Sequence, residues 1–354
     1  VDVRLVWPGR IDGPIEIGGA RLEPIGEPAD APVRLIEGDN LVAMRALVAE
    51  GLEGAFTVAY LDPPYRSGAE YVDERRGVHA YDDRWSDRGA YLDMLWPRLR
   101  LVHRLLAPHG TIWVQVDHRA SGLVQPLLDE LFGDQRLRNV IAWRRAPPLG
   151  RQVQSRQFPR NVDLLFAYAK GERARWRAPW TRVPLERTRA RRDPETGRHY
   201  TLAPRGDYTD ESIARLESEG RIHRTAKGAV YVKYFVEEVD GVLYKPRAVD
   251  ALWDDVAPLR HAPPKERTGY PTQKPEPLLS RIIEATSDPG DLVLDPFAGS
   301  GTTGIVAARL GRRAVLVDRG ETAIATMRAR LGSGSFAHAR AVDPSRGPSR
   351  DQGR

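Results

Sequence analysis

The chain has 354 residues, 41% hydrophobic and 29% charged, with 54 Lys/Arg against 48 Asp/Glu and a net charge of +6. That length buries a sizeable core and suggests about two domains of ordinary globular composition. No cysteine occurs, which excludes disulfides, thiolate metal sites and a cysteine nucleophile, and no apolar run approaches the ~20 residues of a membrane span.

Residues 1–32 are rich in Gly and Pro and read as an irregular arm with at most one short hairpin. They show no charged segment followed by an apolar one, so no signal peptide is read and a cytoplasmic protein is expected. Residues 33–36 read as a strand, and 41–50 as a helix with Asp39 or Asn40 as N-cap. The apolar run 56–61 is a buried strand. Tyr91, Leu95, Leu99, Val102 and Leu106 recur at helical spacing, so 89–106 is an amphipathic helix that Pro97 kinks or starts late. Pro108-His109-Gly110 reads as a turn before a strand at 111–116. A helix at 120–131 and strands at 140–143 and 164–168 follow. From 172 to 268 short strands lie between charged turns, which suggests an inserted smaller α+β domain. The α/β rhythm then returns with a helix at 278–286, a strand at 292–294, a helix at 303–310, a strand at 314–317 and a helix at 321–331. Residues 332–354 lack apolar content and read as a disordered tail. The pattern predicts an α/β doubly wound, mostly parallel sheet.

Asp62-Pro63-Pro64-Tyr65 ends the strand at 56–61. Neither proline donates a ladder hydrogen bond, so an acid and a ring are left at the carboxyl end, where open α/β sheets bind ligands. A carboxylate, a fixed carbonyl and a flat ring suit a planar substrate carrying an NH2 group. The alternative is a Pro-Pro turn with no further role. A second motif, residues 295–304, joins a strand to a helix. Gly299, Gly301 and Gly304 spell G-x-G-x-x-G, with Asp318 placed to bind a ribose, which fits a dinucleotide-binding oxidoreductase. Asp295, however, would repel a pyrophosphate and attract an amine, and Phe297 adds an apolar contact. S-adenosylmethionine has the ribose, the amine and no phosphate.

Charge is uneven. Residues 144–192 hold 14 Lys/Arg against three acids, with Trp143, Phe158, Trp176 and Trp180 among or beside them. Such a segment is the footprint expected for a phosphate backbone, or else an Arg-rich surface with no partner. Arg144, Arg145, Arg151, Arg156 and Arg160 are the candidate DNA contacts. The histidines show no metal-ligand spacing, and no metal is expected.

With both motifs in this order, residues 33–331 resemble the amino-methylating N4-cytosine/N6-adenine DNA methyltransferases, and the order resembles their permuted β group. Tyr270-Pro271-Thr272-Gln273-Lys274-Pro275 resembles the family's third cofactor segment. Segments 253–256 and 265–270 are similar to modification subunits of type III restriction systems. The resemblance implies a Rossmann-like, S-adenosylmethionine-dependent fold divided into a catalytic half at 33–171, a target-recognition insert at 172–268 and a cofactor half at 269–331. It implies catalysis by Asp62, Pro63, Pro64 and Tyr65, with cofactor contacts from Asp295, Phe297, Gly299, Gly301, Asp318, Thr272 and Lys274. Asp39 touches the base or cofactor, or else only caps its helix. The reaction implied is direct displacement on a base flipped from double-stranded DNA. Asp at position 62 leans toward adenine N6. Cytosine N4 is the alternative, and a DNA-binding regulator without catalysis a remote one. A nucleoid-associated location follows from the DNA substrate, with a restriction endonuclease partner and a homodimer left open.

Overall fold

The computed structural model describes residues 4–26, 30–73, 77–147, 156–177, 179–332 and 335–345. The chain forms two compact units, Val1–Arg177 with Asp250–Arg354, and Ala178–Val249. The larger begins with β1 (Arg21–Pro24), β2 (Val33–Glu37), α1 (Asn40–Ala49), β3 (Phe56–Leu61), β4 (Glu70–Asp73), β5 (Val78–Asp82), α2 (Arg88–Leu105), β6 (Leu106–Val116), α3 (Ser121–Phe132), β7 (Leu137–Arg144) and β8 (Val162–Ala169). The smaller contains β9 (Trp180–Leu185), β10 (Arg191–Arg192), β11 (His199–Pro204), α4 (Asp210–Ser218), β12 (Ile222–Arg224), β13 (Val230–Phe235), β14 (Glu237–Val239) and β15 (Val242–Ala248). The larger unit resumes with β16 (Leu252–Trp253), α5 (Glu276–Thr286), β17 (Leu292–Asp295), α6 (Thr302–Arg309), β18 (Arg313–Asp318), α7 (Glu321–Leu331) and β19 (Phe336–Val342).

Among the described residues, the larger unit's main sheet has the order β1-β19-β2-β18-β17-β3-β6-β8-β7-β16. Neighbours run parallel from β19 through β2, β18, β17 and β3 to β6, and β16 is parallel to β7. β1, and β8 against both its neighbours, are antiparallel. The sheet is therefore mostly parallel. All six residues of β3 are buried, as a strand covered on both faces requires. α1, α2 and α3 pack in one row and α5 packs on α6 in another. The core is built from residues such as Met44, Leu47, Phe56, Leu61, Leu95, Leu99, Val114 and Leu294.

Five expectations need correction. Residues 336–342, expected as part of a disordered tail, form β19, which lies between β1 and β2, with Leu22 opposite Ala341 and Ile36 opposite Ala339. Among its described residues the N-terminal arm makes no hairpin of its own, because β1 pairs with β19, and Trp7 and Ala20 are buried. α2 starts at Arg88, capped by the Asp87 carboxylate on the Ala90 N–H at 2.9 Å, so Pro97 lies inside it and does not mark a late start. The separate unit, 178–249, is narrower than 172–268 because Leu252 and Trp253 extend the main sheet along β7.

Pro108-His109-Gly110 is a bulge rather than a turn. Phe56 faces Leu106, but Val58 already faces Thr111. A Cβ on Gly110 would stand 2.8 Å from the Phe56 carbonyl oxygen and 3.1 Å from that of Thr57. Gly110→Ala should therefore cost about 1–3 kcal/mol through overpacking. A lower urea midpoint with an unchanged slope is the expected reading; an unmoved midpoint would contradict the packing argument.

The smaller unit pairs β10-β11-β13-β12 in one antiparallel sheet and β14-β15-β9 in another. α4, capped by Thr209, closes a small core of Ile213, Leu216 and Val232. Among the described residues no helix is long and apolar enough to cross a membrane.

Candidate active site

Parallel strands bring their carboxyl ends to one edge, and five neighbours end on acids there. In sheet order these are Asp39 past β2, Asp318 on β18, Asp295 on β17, Asp62 past β3 and Asp117 past β6. The outer two are spoken for. Asp39 caps α1, accepting the Leu41 and Val42 N–H groups at 2.8 and 3.3 Å, and takes Arg98 Nη2 at 2.8 Å. Capping accounts for two of its contacts and the Arg98 ion pair for the third. Asp117 is buried and accepts the Arg119 N–H at 2.8 Å and its guanidinium at 2.6 Å.

The inner three crowd together. Asp318 accepts the Gly299 N–H at 2.8 Å and the Gly320 N–H at 2.9 Å, and burial raises its pKa against the pull of those donors. Asp295 is 2% exposed and accepts the Phe297 N–H at 3.0 Å and the Thr303 hydroxyl. Burial pushes its carboxyl up to about 7 although both donors favour the anion, and the Asp62 and Asp318 charges push the same way. An edge that penalises negative charge this strongly is ready for a cation.

A cation is already present. Lys274 is buried, and its ammonium donates to Asp62 Oδ2 and, at 3.0 Å, to the Thr272 carbonyl. The same nitrogen lies 5.5 Å from the centre of the Tyr65 ring, within cation–π range. The Tyr65 hydroxyl donates to Asp62 Oδ1. The Lys274 side chain thus sits on the catalytic candidate Asp62, while its carbonyl accepts the Thr302 hydroxyl at 3.2 Å, just past the glycine loop. Pro63 is buried and Pro64 half-buried beside them. Thr272 is exposed and has φ +61°, an outlier for a β-branched residue. Its hydroxyl lies 3.3 Å from that of Tyr81, on the β4–β5 hairpin.

The glycine turn has the geometry its sequence requires. Gly299 and Gly301 have φ +51° and +76°, and a Cβ on Gly301 would come within 2.6 Å of Met327 Cγ. Phe297 is half-buried just before them. A ribose diol fits Asp318, an amine fits Asp295 and an apolar group fits Phe297, so the donor set suits the ligand the motif implies.

Sequence reasoning missed the supports. Asp83 is 1% exposed and accepts the Tyr65, Arg66 and Ser67 N–H groups at 3.1, 2.9 and 2.7 Å, which shapes the chain just after the catalytic motif. Asp83→Ala should unpair all three and cut turnover more than cofactor affinity; calorimetry beside initial rates would show otherwise if both fell equally. Asn40 donates to the Pro296 carbonyl at 2.6 Å and accepts from Arg98, which ties β2's end to the glycine loop. Arg330 donates to the Ser300 carbonyl at 2.9 Å and the Thr302 hydroxyl at 3.0 Å. No spacing rule marks these residues, because their partners lie far off in sequence.

The basic segment divides. Arg144 ends β7 and is exposed, and Val162, opposite it, starts β8 at the edge that carries Asp117. Arg145 Nε lies 2.8 Å from the buried Asp163, and its Nη2 donates to the Arg160 carbonyl at 3.1 Å. Arg156 and Arg160 are exposed there, and Arg151 lies outside the described residues. Arg175 and Arg177 instead follow β8 to the opposite edge and pair with Asp288. Arg182 and Arg187 pair with Glu237 and Glu238 inside the smaller unit.

Over 328 residues the chain is 30% identical to the type II methyltransferase M.EcaI of Enterobacter cloacae, covering 86% of this chain and 70% of that protein. It is 26% identical over 306 residues to the type II methyltransferase M2.DpnII of Streptococcus pneumoniae, covering 84% and 88%. Both carry the type II label, whereas segments 253–256 and 265–270 resemble type III subunits. Its fold is similar to that of the M1.HpyAVI–SAM complex, with a TM-score of 0.50 at 16% identity, over 85% of this chain and 99% of that one. The DNA methylase family of the N6/N4 type matches residues 56–328, and the chain belongs to that family.

Proposed function

We propose that this DNA methyltransferase acts on the exocyclic N6 of adenine at specific sites in duplex DNA, with S-adenosylmethionine as methyl donor. One observation carries the reading: Asp62 holds an ammonium nitrogen beside the Tyr65 ring. Acceptors that suit a charged N–H donor are those an attacking exocyclic amine needs. Its lone pair is delocalised into the ring, and positive charge grows on nitrogen as the bond to carbon forms. Asp62 and the Pro63 carbonyl accept its N–H groups and stabilise that charge. Tyr65 stacks on the base. When bound, the donor supplies an electrophilic methyl on a sulfonium, and the sulfur keeps the bonding pair. Asp318, Asp295, Phe297 and the Gly299–Gly301 turn fix the donor, and alignment of nitrogen with carbon supplies much of the rate. Lys274 must vacate Asp62 for the amine to enter.

The aspartate at position 62, where relatives of cytosine type more often carry serine, supports adenine. Exposed Arg144, Arg156 and Arg160 support phosphate contacts at the edge that carries the motif. The separate 178–249 unit, lying in sequence between the two motifs, is read as the target-recognition domain. Plasmid DNA incubated with the protein and methyl donor, then digested to nucleosides for mass spectrometry, tests the reading. N6-methyladenine is expected. N4-methylcytosine overturns the choice of base, and an absence of both overturns the activity. Single-molecule sequencing of the same DNA maps the site.

A further inference from the structure

Phe158 is the most exposed large apolar side chain among the described residues, with 95% of its surface in solvent. Exposure alone says little, because single apolar residues are common on surfaces. Its position says more. It stands between Arg156 and Arg160, both exposed, in the segment that enters β8 at the edge bearing Asp62 and Asp117. A chain of contacts ties that segment to the catalytic motif. The Arg160 guanidinium donates to Gln157 at 2.9 Å and lies 3.1 Å from His118 Nε2. The next residue, Arg119, donates to the Ser67 carbonyl at 3.4 Å, and Arg66 donates to the Arg119 carbonyl at 3.4 Å. Arg66 and Ser67 directly follow Tyr65. A bare aromatic ring between two exposed arginines thus stands in a segment that these contacts tie to the residues directly after Tyr65.

We propose that Phe158 is the wedge that enters the base stack where the target base leaves it. This rests on the base-flipping reading above. Extrusion leaves an unpaired partner base and an empty layer in the stack. A flat apolar ring restores the lost stacking contact, while flanking arginines hold the backbone on either side. Phe158 touches neither the methyl donor nor the target amine; it is a positioning residue.

The test compares two duplex oligonucleotides that carry the mapped site, one intact and one with an abasic position opposite the target base. Where the pair is already broken, extrusion costs little. Phe158→Ala should lower kcat/KM on the intact duplex about tenfold, the loss of one stacking contact, and on the abasic duplex by no more than about twofold. Phe158→Trp should restore most of the activity on the intact duplex. Affinity for S-adenosylmethionine and thermal stability should not move. An equal loss on both duplexes, or no loss on the intact one, overturns the wedge. If the unaltered chain methylates neither duplex, the base-flipping methyltransferase reading itself falls, so the two failures are distinct.

Discussion

Asp62→Ala should lower methyl transfer by about 10²–10³-fold, the scale found when one preorganised group that stabilises developing charge is removed. DNA binding, read by gel shift, should stay within about twofold, because the exposed arginines are untouched. The size of the effect follows from the setting. Asp62 is held at the end of a wholly buried strand, and the Tyr65 hydroxyl fixes one oxygen while the other meets Lys274. The other four carboxylates that end these strands are already engaged: Asp39 with its helix cap and Arg98, Asp318 with the Gly299 and Gly320 N–H groups, Asp295 with Thr303 and Phe297, and Asp117 with Arg119. The alanine variant also leaves a buried ammonium without its carboxylate, and breaking a buried pair in this way costs roughly 3–5 kcal/mol of stability. Asp62→Asn keeps an acceptor oxygen and the shape, so it leaves no cavity, although it too takes the carboxylate away from Lys274. It should lose less stability than the alanine variant and still lose most of the rate. A fully active asparagine variant would remove Asp62 from the chemistry.

Affinity for S-adenosylmethionine should rise about tenfold between pH 6 and pH 8. The reason is the Asp295 carboxyl, which burial holds at about 7. An ammonium group binds the anion and not the neutral acid, and the ionised fraction climbs from about a tenth to about nine tenths across that interval. Binding should release a proton in the middle of the range. Asp295→Asn should flatten the curve and weaken binding at pH 8 by roughly 2 kcal/mol, or about 30-fold. Titration calorimetry in buffers of different ionisation enthalpy reads both affinity and proton release. A flat profile in the parent would show that Asp295 does not hold the amine. The same group acts on stability without ligand. Below about pH 4 both folded and unfolded chains carry its proton. From there to about 7 the unfolded chain sheds it first, so this contribution to stability is lost as pH rises.

Much of this was legible in sequence, for physical reasons. The central strands announce themselves because burial on both faces makes them continuous apolar runs, and proline and glycine punctuate their ends. Asp62, Asp295 and Asp318 could be found because each ends such a run. β19 escaped because alanines fill alternate positions, Ala337, Ala339 and Ala341, with His338 and Arg340 between them. Small side chains bury little area and leave a weak signal. The bulge at Pro108-His109-Gly110 escaped because turn residues mark irregular backbone without saying whether the strand resumes. Lys274 came to light as a site residue, but its partner Asp62 is 212 positions away and only folding joins them. Asp83 and Asn40 carried no motif at all.

The position of β19 has a consequence for how the protein is made. A strand near the end of the sequence is threaded between two strands from its beginning, with Leu22 facing Ala341 and Leu35 facing His338. β2, whose end carries the Asp39 cap of α1, therefore waits for its outer neighbour until residues 336–342 have left the ribosome. Contacts this distant in sequence form slowly because the intervening chain must first be ordered. β3 and β6 can pair early, but β17 and β18 reach the centre of the sheet late and β19 later still, so a chain cut short within α7 lacks β19 and leaves the outer side of β2 open for pairing with another chain.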